Sequence, residues 1–135
     1  MTAVLLDSNV LLDLMTEDPR WFSWSASAVA SAADSSRLVI NAVIYAEVSI
    51  RYSLIEDLEA ALPKGIIERE AIPYEAGFLA GKAFQAYRRR GGPRRSVLPD
   101  FFIGAHAAVA GYRVLTRDPT RYRSYFPRVS LIAPK

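Results

Sequence analysis

Apolar positions follow two rhythms along this chain: short uninterrupted runs, and longer stretches with an apolar side chain at every third or fourth position. Ala3-Val4-Leu5-Leu6 is too short for a helix and is ended by the turn-forming Asp7-Ser8-Asn9, so it predicts a buried strand feeding a helix from Val10 to Leu14. Helical spacing predicts further helices over Trp21 to Ala33, Ala42 to Ser53 and Ile55 to Leu62. The last of these stops at Pro63, which pushes the preceding residue away from helical angles. Tyr74 to Arg90 is the longest helical stretch, halted by Gly91-Gly92-Pro93; Asp100 to Gly111 is a helix of small residues, and one more short helix follows Asp118. Leu38 to Ile40, Ile66 to Ile72, Val114 to Thr116 and Val129 to Ile132 read as the remaining strands.

Strands that alternate with helices imply parallel pairing through right-handed crossovers, with helices on both faces of the sheet. The expected class is therefore α/β: a three-layer α/β/α domain with a central, mainly parallel sheet of four to five strands. A length of 135 residues suits one domain spanning the whole chain, and 51% hydrophobic with 23% charged residues is ordinary globular composition. The absence of cysteine excludes disulfides, thiolate metal sites and a thiol nucleophile, and is compatible with a reducing cytoplasm. Met1-Thr2-Ala3 enters the first strand without a basic leader, and no apolar run approaches the roughly 20 residues of a membrane helix, so neither export nor a membrane is expected.

A net charge of +3 conceals an asymmetry. Residues 1–81 carry 5 basic and 12 acidic side chains, and residues 82–135 carry 12 basic and 2 acidic. Basic surface gathered in one part of a fold attracts polyanions, which makes nucleic acid the partner class to consider beside a merely solvated basic face.

In a parallel α/β sheet, sites form beyond the carboxyl ends of the strands. Asp7 follows the first strand, Asp118 follows the fourth, and Asp100 opens a helix after a proline-containing loop, which predicts all three at one edge. Each also reads as a helix N-cap: Asp7 before Val10, Asp100 before Phe101, and Asp118 before Pro119 at a first helical position. Glu47 has no such reading. Helical spacing puts it on a face with Val43, Ile44, Ile50 and Leu54, where a carboxylate costs several kcal/mol unless a cation compensates it, and Arg51 lies toward the rim. Pairing with an arginine from elsewhere in the fold is the structural alternative.

Four converging acids repel one another unless divalent cations bind among them, and an oxygen-only donor set suits Mg²⁺ or Mn²⁺, as one or two ions. Such ions activate water for phosphodiester cleavage without a catalytic histidine or serine. Asn9 and Thr116, near Asp7 and Asp118 in sequence, are candidates to orient the ligands. Five arginines between Arg88 and Arg95 suggest a grip on phosphates, most directly through Arg94 and Arg95, although positive charge at a helix C-terminus also accounts for Arg88 to Arg90. Arg117 is a further candidate RNA contact and, with Arg121 and Arg123, extends the basic surface, with Tyr112, Tyr122 and Tyr125 as stacking or packing groups. His106 is expected to be structural, on the Phe102 and Val109 side of its helix. Asp13 reads as a solvated helix residue, and Trp21, Phe22 and Trp24 as core with some capacity for an interface.

The segments Val4-Leu5-Leu6-Asp7-Ser8-Asn9, Asn41 through Glu47, and Leu98-Pro99-Asp100 through Leu115-Thr116-Arg117-Asp118, closed by Tyr122, Tyr125, Phe126 and Pro127, resemble the PIN-domain family, in particular the VapC-type toxin ribonucleases of bacterial toxin–antitoxin pairs. The resemblance spans nearly the whole chain. It matches Asp7, Glu47, Asp100 and Asp118 to acidic metal ligands and Asn9 and Thr116 to supporting polar positions. It further implies Mg²⁺- or Mn²⁺-dependent endonucleolytic cleavage of RNA, a homodimer, and inhibition by a cognate antitoxin that occupies the cleft. Two other readings are a non-catalytic RNA-binding or interaction module and a haloacid-dehalogenase-like phosphatase. The second lacks the required acid two residues after Asp7, where Asn9 stands.

Overall fold

A computed structural model describes residues 2–93 and 97–135. In chain order its elements are β1 (Ala3–Leu6), α1 (Ser8–Thr16), α2 (Phe22–Ser35), β2 (Arg37–Ile40), α3 (Ala42–Ser49), α4 (Ile55–Ala61), β3 (Ile67–Arg69), α5 (Tyr74–Arg89), α6 (Leu98–Ala110), β4 (Arg113–Leu115), α7 (Thr120–Tyr125) and β5 (Leu131–Ile132). The five strands form one parallel sheet in the order β3-β2-β1-β4-β5, and helices flank it as the third layer expected of an α/β/α fold. Val4 lies opposite Leu38 on one side and Arg113 on the other, so β1 is central, and all four of its residues are buried. That position explains its unbroken apolar run, because a strand covered on both faces has no solvent side on which to place polar residues.

Some boundaries depart from the periodicity. The helical pattern over Ala42 to Ser53 ends early, α3 closing at Ser49, and Ile50 and Leu54 are 85% and 58% exposed rather than part of a buried stripe. The apolar face of α3 is instead anchored by the fully buried Ile44 and Val48. The strand expected over Ile66 to Ile72 shrinks to three residues, since its neighbour β2 ends at Ile40; the Glu70 N–H donates to the Ile40 carbonyl as the last rung (2.9 Å). Of the three acids read as caps, Asp7 caps α1, accepting the Ser8 N–H, whereas Asp100 falls inside the first turn of α6, capped by Val97. The cap of α7 is Pro119 itself, one residue beyond Asp118.

Asp13 is not solvated. It is 2% exposed, because α2 packs over that side of α1. Its Oδ2 accepts hydrogen bonds from Ser25 Oγ and Arg117 Nε, both at 2.8 Å. His106 is wholly buried, whereas Val109, read on the same side of the helix, is 41% exposed. Among the described residues no helix is long and apolar enough to cross a membrane.

Candidate active site

Because β1 is central, its carboxyl end delivers Asp7 to the middle of the sheet edge, where its N–H remains tied to the Leu115 carbonyl of β4 (3.0 Å). The carboxylate is 4% exposed and heavily hydrogen bonded. Oδ1 accepts the Ser8 N–H at 2.8 Å, while Oδ2 accepts the Tyr122 hydroxyl at 2.8 Å, the Thr116 hydroxyl at 2.9 Å and Asn9 Nδ2 at 3.4 Å. Burial raises its pKa above the ordinary aspartate value. Hydrogen bonds from Tyr122 and Thr116 oppose this without cancelling it, and the charge of Asp100 adds to the rise.

Glu47, one turn from the end of α3, is half-buried and accepts a hydrogen bond from Ser8 Oγ at Oε1 (3.0 Å). Among the described residues no arginine from elsewhere meets it; its partner is a neutral hydroxyl. Burial is the main cause of its raised pKa, and the charges of Asp7 and Asp100 push in the same direction. Asp100 is also raised, first by burial and further by Asp118, although Arg121 lowers it through an ion pair of 2.8 Å between Nη1 and Oδ2. Asp118 is exposed on the loop after β4, its N–H donating to Thr116 Oγ1 (3.1 Å). The four acids therefore reach one region from β1, α3, α6 and the β4–α7 loop. Burial raises the pKa of three of them, and of those three only Asp100 has a cationic partner among the described residues.

Asp7, Asp100 and Asp118 line a cavity of about 630 Å³ together with Asn9, Tyr87, Arg121 and Tyr125. A larger cavity of about 900 Å³ lies apart from these acids, between α3, α4 and the end of β3, lined in part by Tyr45, Glu59, Arg69 and Glu70. Among the described residues no three carboxylate or imidazole groups form a ready-made cation cage. Asn9 and Thr116 do stand beside the acids: Asn9 bridges Asp7 and Thr116 (3.2 Å to the latter) and accepts the Arg117 N–H. The Arg117 side chain turns instead to Asp13 and lies over the Trp21 ring, 5.7 Å from its centroid. Arg94 and Arg95 lie outside the described residues.

The sequence did not show the part that Ser8, Tyr122 and Arg121 play beside the acids. Ser8 links Asp7 to Glu47, Tyr122 donates to Asp7 from the 2% exposed interior, and Arg121 neutralises Asp100. Tyr122 and Arg121 belong to a six-residue helix whose docking no local pattern specifies.

A five-stranded parallel sheet with acids converging at the carboxyl edge of its central strand defines the class: an α/β domain with an acidic site. The sequence profile of the PIN domain matches residues 4–126, and the chain belongs to the PIN-domain family. Three similar solved structures are the VapBC2 complex of Rickettsia felis bound to a promoter DNA fragment, VapBC-1 of nontypeable Haemophilus influenzae, and a toxin–antitoxin complex of Klebsiella pneumoniae. The first has a TM-score of 0.76 at 14% identity, covering 99% of this chain and 100% of the other. The second has 0.73 at 18%, covering 98% of each, and the third 0.65 at 19%, covering 98% of each. At these identities the likeness is one of fold. No sequence among curated proteins matches this chain.

Proposed function

We propose that this protein is a divalent-metal-dependent endoribonuclease and the toxin of a VapC-type toxin–antitoxin pair, with Asp7, Glu47, Asp100 and Asp118 as its acidic site. The observation that carries the reading is the convergence of Asp7, Glu47 and Asp100, each with a pKa raised first by burial, while among the described residues no cation pairs with Asp7 or Glu47 and only Asp100 has one, Arg121. Hard oxygen donors gathered in this way fit Mg²⁺ or Mn²⁺, held by the carboxylates of these four residues. When bound, such an ion supplies Lewis-acid activation of water and neutralisation of phosphate charge.

The chain's own groups prepare that chemistry. Tyr122, Thr116 and Ser8 fix Asp7 in one orientation, Ser8 also holds Glu47, and the Thr116 hydroxyl restrains the loop carrying Asp118. The arginine-rich sequence from Arg88 to Arg95 offers charge to a polyanionic substrate. An antitoxin and a second copy of the chain complete the proposal. Exposed apolar groups are available for these partners at the α3–α4 turn (Ile50, Leu54, Ile55) and on α5, where Tyr74 is 95% and Phe78 71% exposed one turn apart.

The test is cleavage of RNA by the purified protein. Activity is expected with Mg²⁺ or Mn²⁺, lost in EDTA, and lost in Asp7→Asn and Asp100→Asn proteins whose circular dichroism is unchanged. Full cleavage by both variants overturns the assigned site. Cleavage indifferent to EDTA overturns the metal, and RNA binding without any cleavage favours the non-catalytic module.

A further inference from the structure

We infer that Tyr87, Tyr125 and Arg121 in the lining of the acidic cavity, with Arg90 over the Tyr125 ring, form a subsite for one unpaired ribonucleotide, stacking its base and gripping its adjoining phosphate. The inference deepens the nuclease reading, on which it rests for the choice of RNA.

Tyr87 comes from the last turn of α5 and Tyr125 from the end of α7, and both line the cavity whose floor holds Asp7, Asp100 and Asp118. Their rings meet edge to face, 6.1 Å apart at 69°. Behind them the fully buried Phe101 ring lies 5.7 Å from Tyr87 and 5.1 Å from Tyr125, so both tyrosines are braced from the core and each remains half-buried. A guanidinium lies over each ring: that of Arg121 is 5.7 Å from the Tyr87 centroid, and that of Arg90 is 5.0 Å from the Tyr125 centroid. Arg121 also pairs with Asp100, joining wall to floor.

Core packing accounts for the inner faces of these rings; their other neighbours are two guanidiniums, one lining the acidic cavity and paired with Asp100 and the other at the end of α5. Nucleobases stack on tyrosine rings and on guanidinium planes alike, and arginine binds phosphate through a forked set of donors. The cavity volume of about 630 Å³ is within the range of small-ligand sites. The acids on the floor repel a phosphodiester, and the arginines beside them supply opposite charge where the backbone would pass. In a duplex the base faces are hidden in the stack, so a nucleotide reaches a recessed aromatic wall only when it is splayed out. The ligand class is therefore single-stranded or loop RNA.

The experiment uses the full-length protein in EDTA, where the proposed cleavage is silent, and a short single-stranded RNA carrying 2-aminopurine, whose fluorescence falls on stacking. Quenching on binding is expected. Tyr125→Leu and Tyr87→Leu are expected to remove the quench and weaken binding about 5- to 150-fold, from the usual contribution of one base stack. Tyr125→Phe and Tyr87→Phe are expected to bind as the parent. Arg90→Gln and Arg121→Gln, which alter more exposed side chains and keep the ring cluster, should each flatten the slope of log affinity against log salt by about 0.7. Unchanged quench and affinity in folded leucine variants overturn the subsite, as do unchanged salt slopes in both arginine variants. Equal binding and equal losses with a duplex of the same sequence overturn the requirement for an unpaired nucleotide. Metal-dependent cleavage that survives all these substitutions leaves the nuclease reading standing without the subsite. Base stacking that depends on the tyrosines in a protein that never cleaves RNA leaves the subsite standing without the nuclease.

Discussion

Asn41 Nδ2 lies 3.0 Å from the Nδ1 of His106, joining the cap of the helix that carries Glu47 to the helix that carries Asp100. The amide oxygen of Asn41 is already committed to the Ile44 N–H (3.0 Å), so its NH₂ faces the imidazole and Nδ1 must accept. The other ring nitrogen then bears the proton and donates to Glu70 Oε2 at 2.9 Å. One neutral tautomer thus satisfies three elements at once.

Replacing His106 with leucine keeps the volume but strands the buried Asn41 NH₂ and takes one donor from Glu70, which keeps Tyr112. The expected cost is about 1–3 kcal/mol, the usual penalty for one buried polar group left without a partner. Urea unfolding measures it, and a loss below about 0.5 kcal/mol would show that the network is dispensable.

Glu70 makes the same region sensitive to acid. Partial burial tends to raise its pKa, but hydrogen bonds from Tyr112 and His106 outweigh this and hold the carboxyl below its ordinary value. A carboxyl depressed by folding stabilises the native state above its unfolded pKa of about 4.3, and that contribution is lost as pH falls through the lower native value. Thermal unfolding from pH 6 down to about pH 3 should therefore fall less steeply for Glu70→Gln than for the parent. Parallel curves would refute the assignment.

Asp13 and Arg117 form a clamp between α1 and the loop after β4. Arg117→Gln leaves the 2% exposed Asp13 carboxylate with Ser25 as its remaining partner. Because Arg117 is itself 31% exposed, a cost of about 2 kcal/mol is expected rather than the full 3–5 of a buried pair. The double variant with Asp13→Asn should recover much of that loss. A double-mutant cycle with no coupling would mean that the pair contributes nothing.

Gly104 marks the tightest approach between α6 and the chain after α7. A Cβ built there would lie 2.4 Å from Cδ2 of the buried Phe126 ring. Gly104→Ala is expected to destabilise by about 1–3 kcal/mol by driving that ring outward, visible as a lower midpoint in urea. No change would imply that Phe126 repacks freely.

The pattern of the chain made the fold legible where burial is two-sided or the helix is long. The run Ala3 to Leu6 announces a central strand, and Tyr74 to Arg90 a helix that the structure ends one residue earlier, because these signals depend on local spacing alone. Boundaries set by a neighbour were not legible. Nothing within Ile66 to Ile72 records that β2 runs out of ladder partners at Ile40, and nothing in Ala42 to Ser53 marks the turn at Ile50.

The candidate site divides in the same way. Position after a strand or on a helix was sufficient to nominate Asp7, Glu47, Asp100 and Asp118 from the sequence, since parallel topology collects such positions at one edge. What each carboxylate touches was decided by tertiary packing. Ser8 reaches Glu47 across 39 positions and Tyr122 reaches Asp7 across 115, separations over which no periodicity carries information. Asp13 and Arg117, read singly as a solvated acid and a nucleic-acid contact, became partners once α1 met the loop after β4. The sequence by itself determined an α/β domain with acids at the carboxyl edge of its sheet. Only the tertiary structure decided that Asp7 is buried under four hydrogen bonds, that Glu47 is half-buried on a neutral hydroxyl and that Asp100 pairs with Arg121, because burial and hydrogen bonding belong to the assembled elements and not to any one of them.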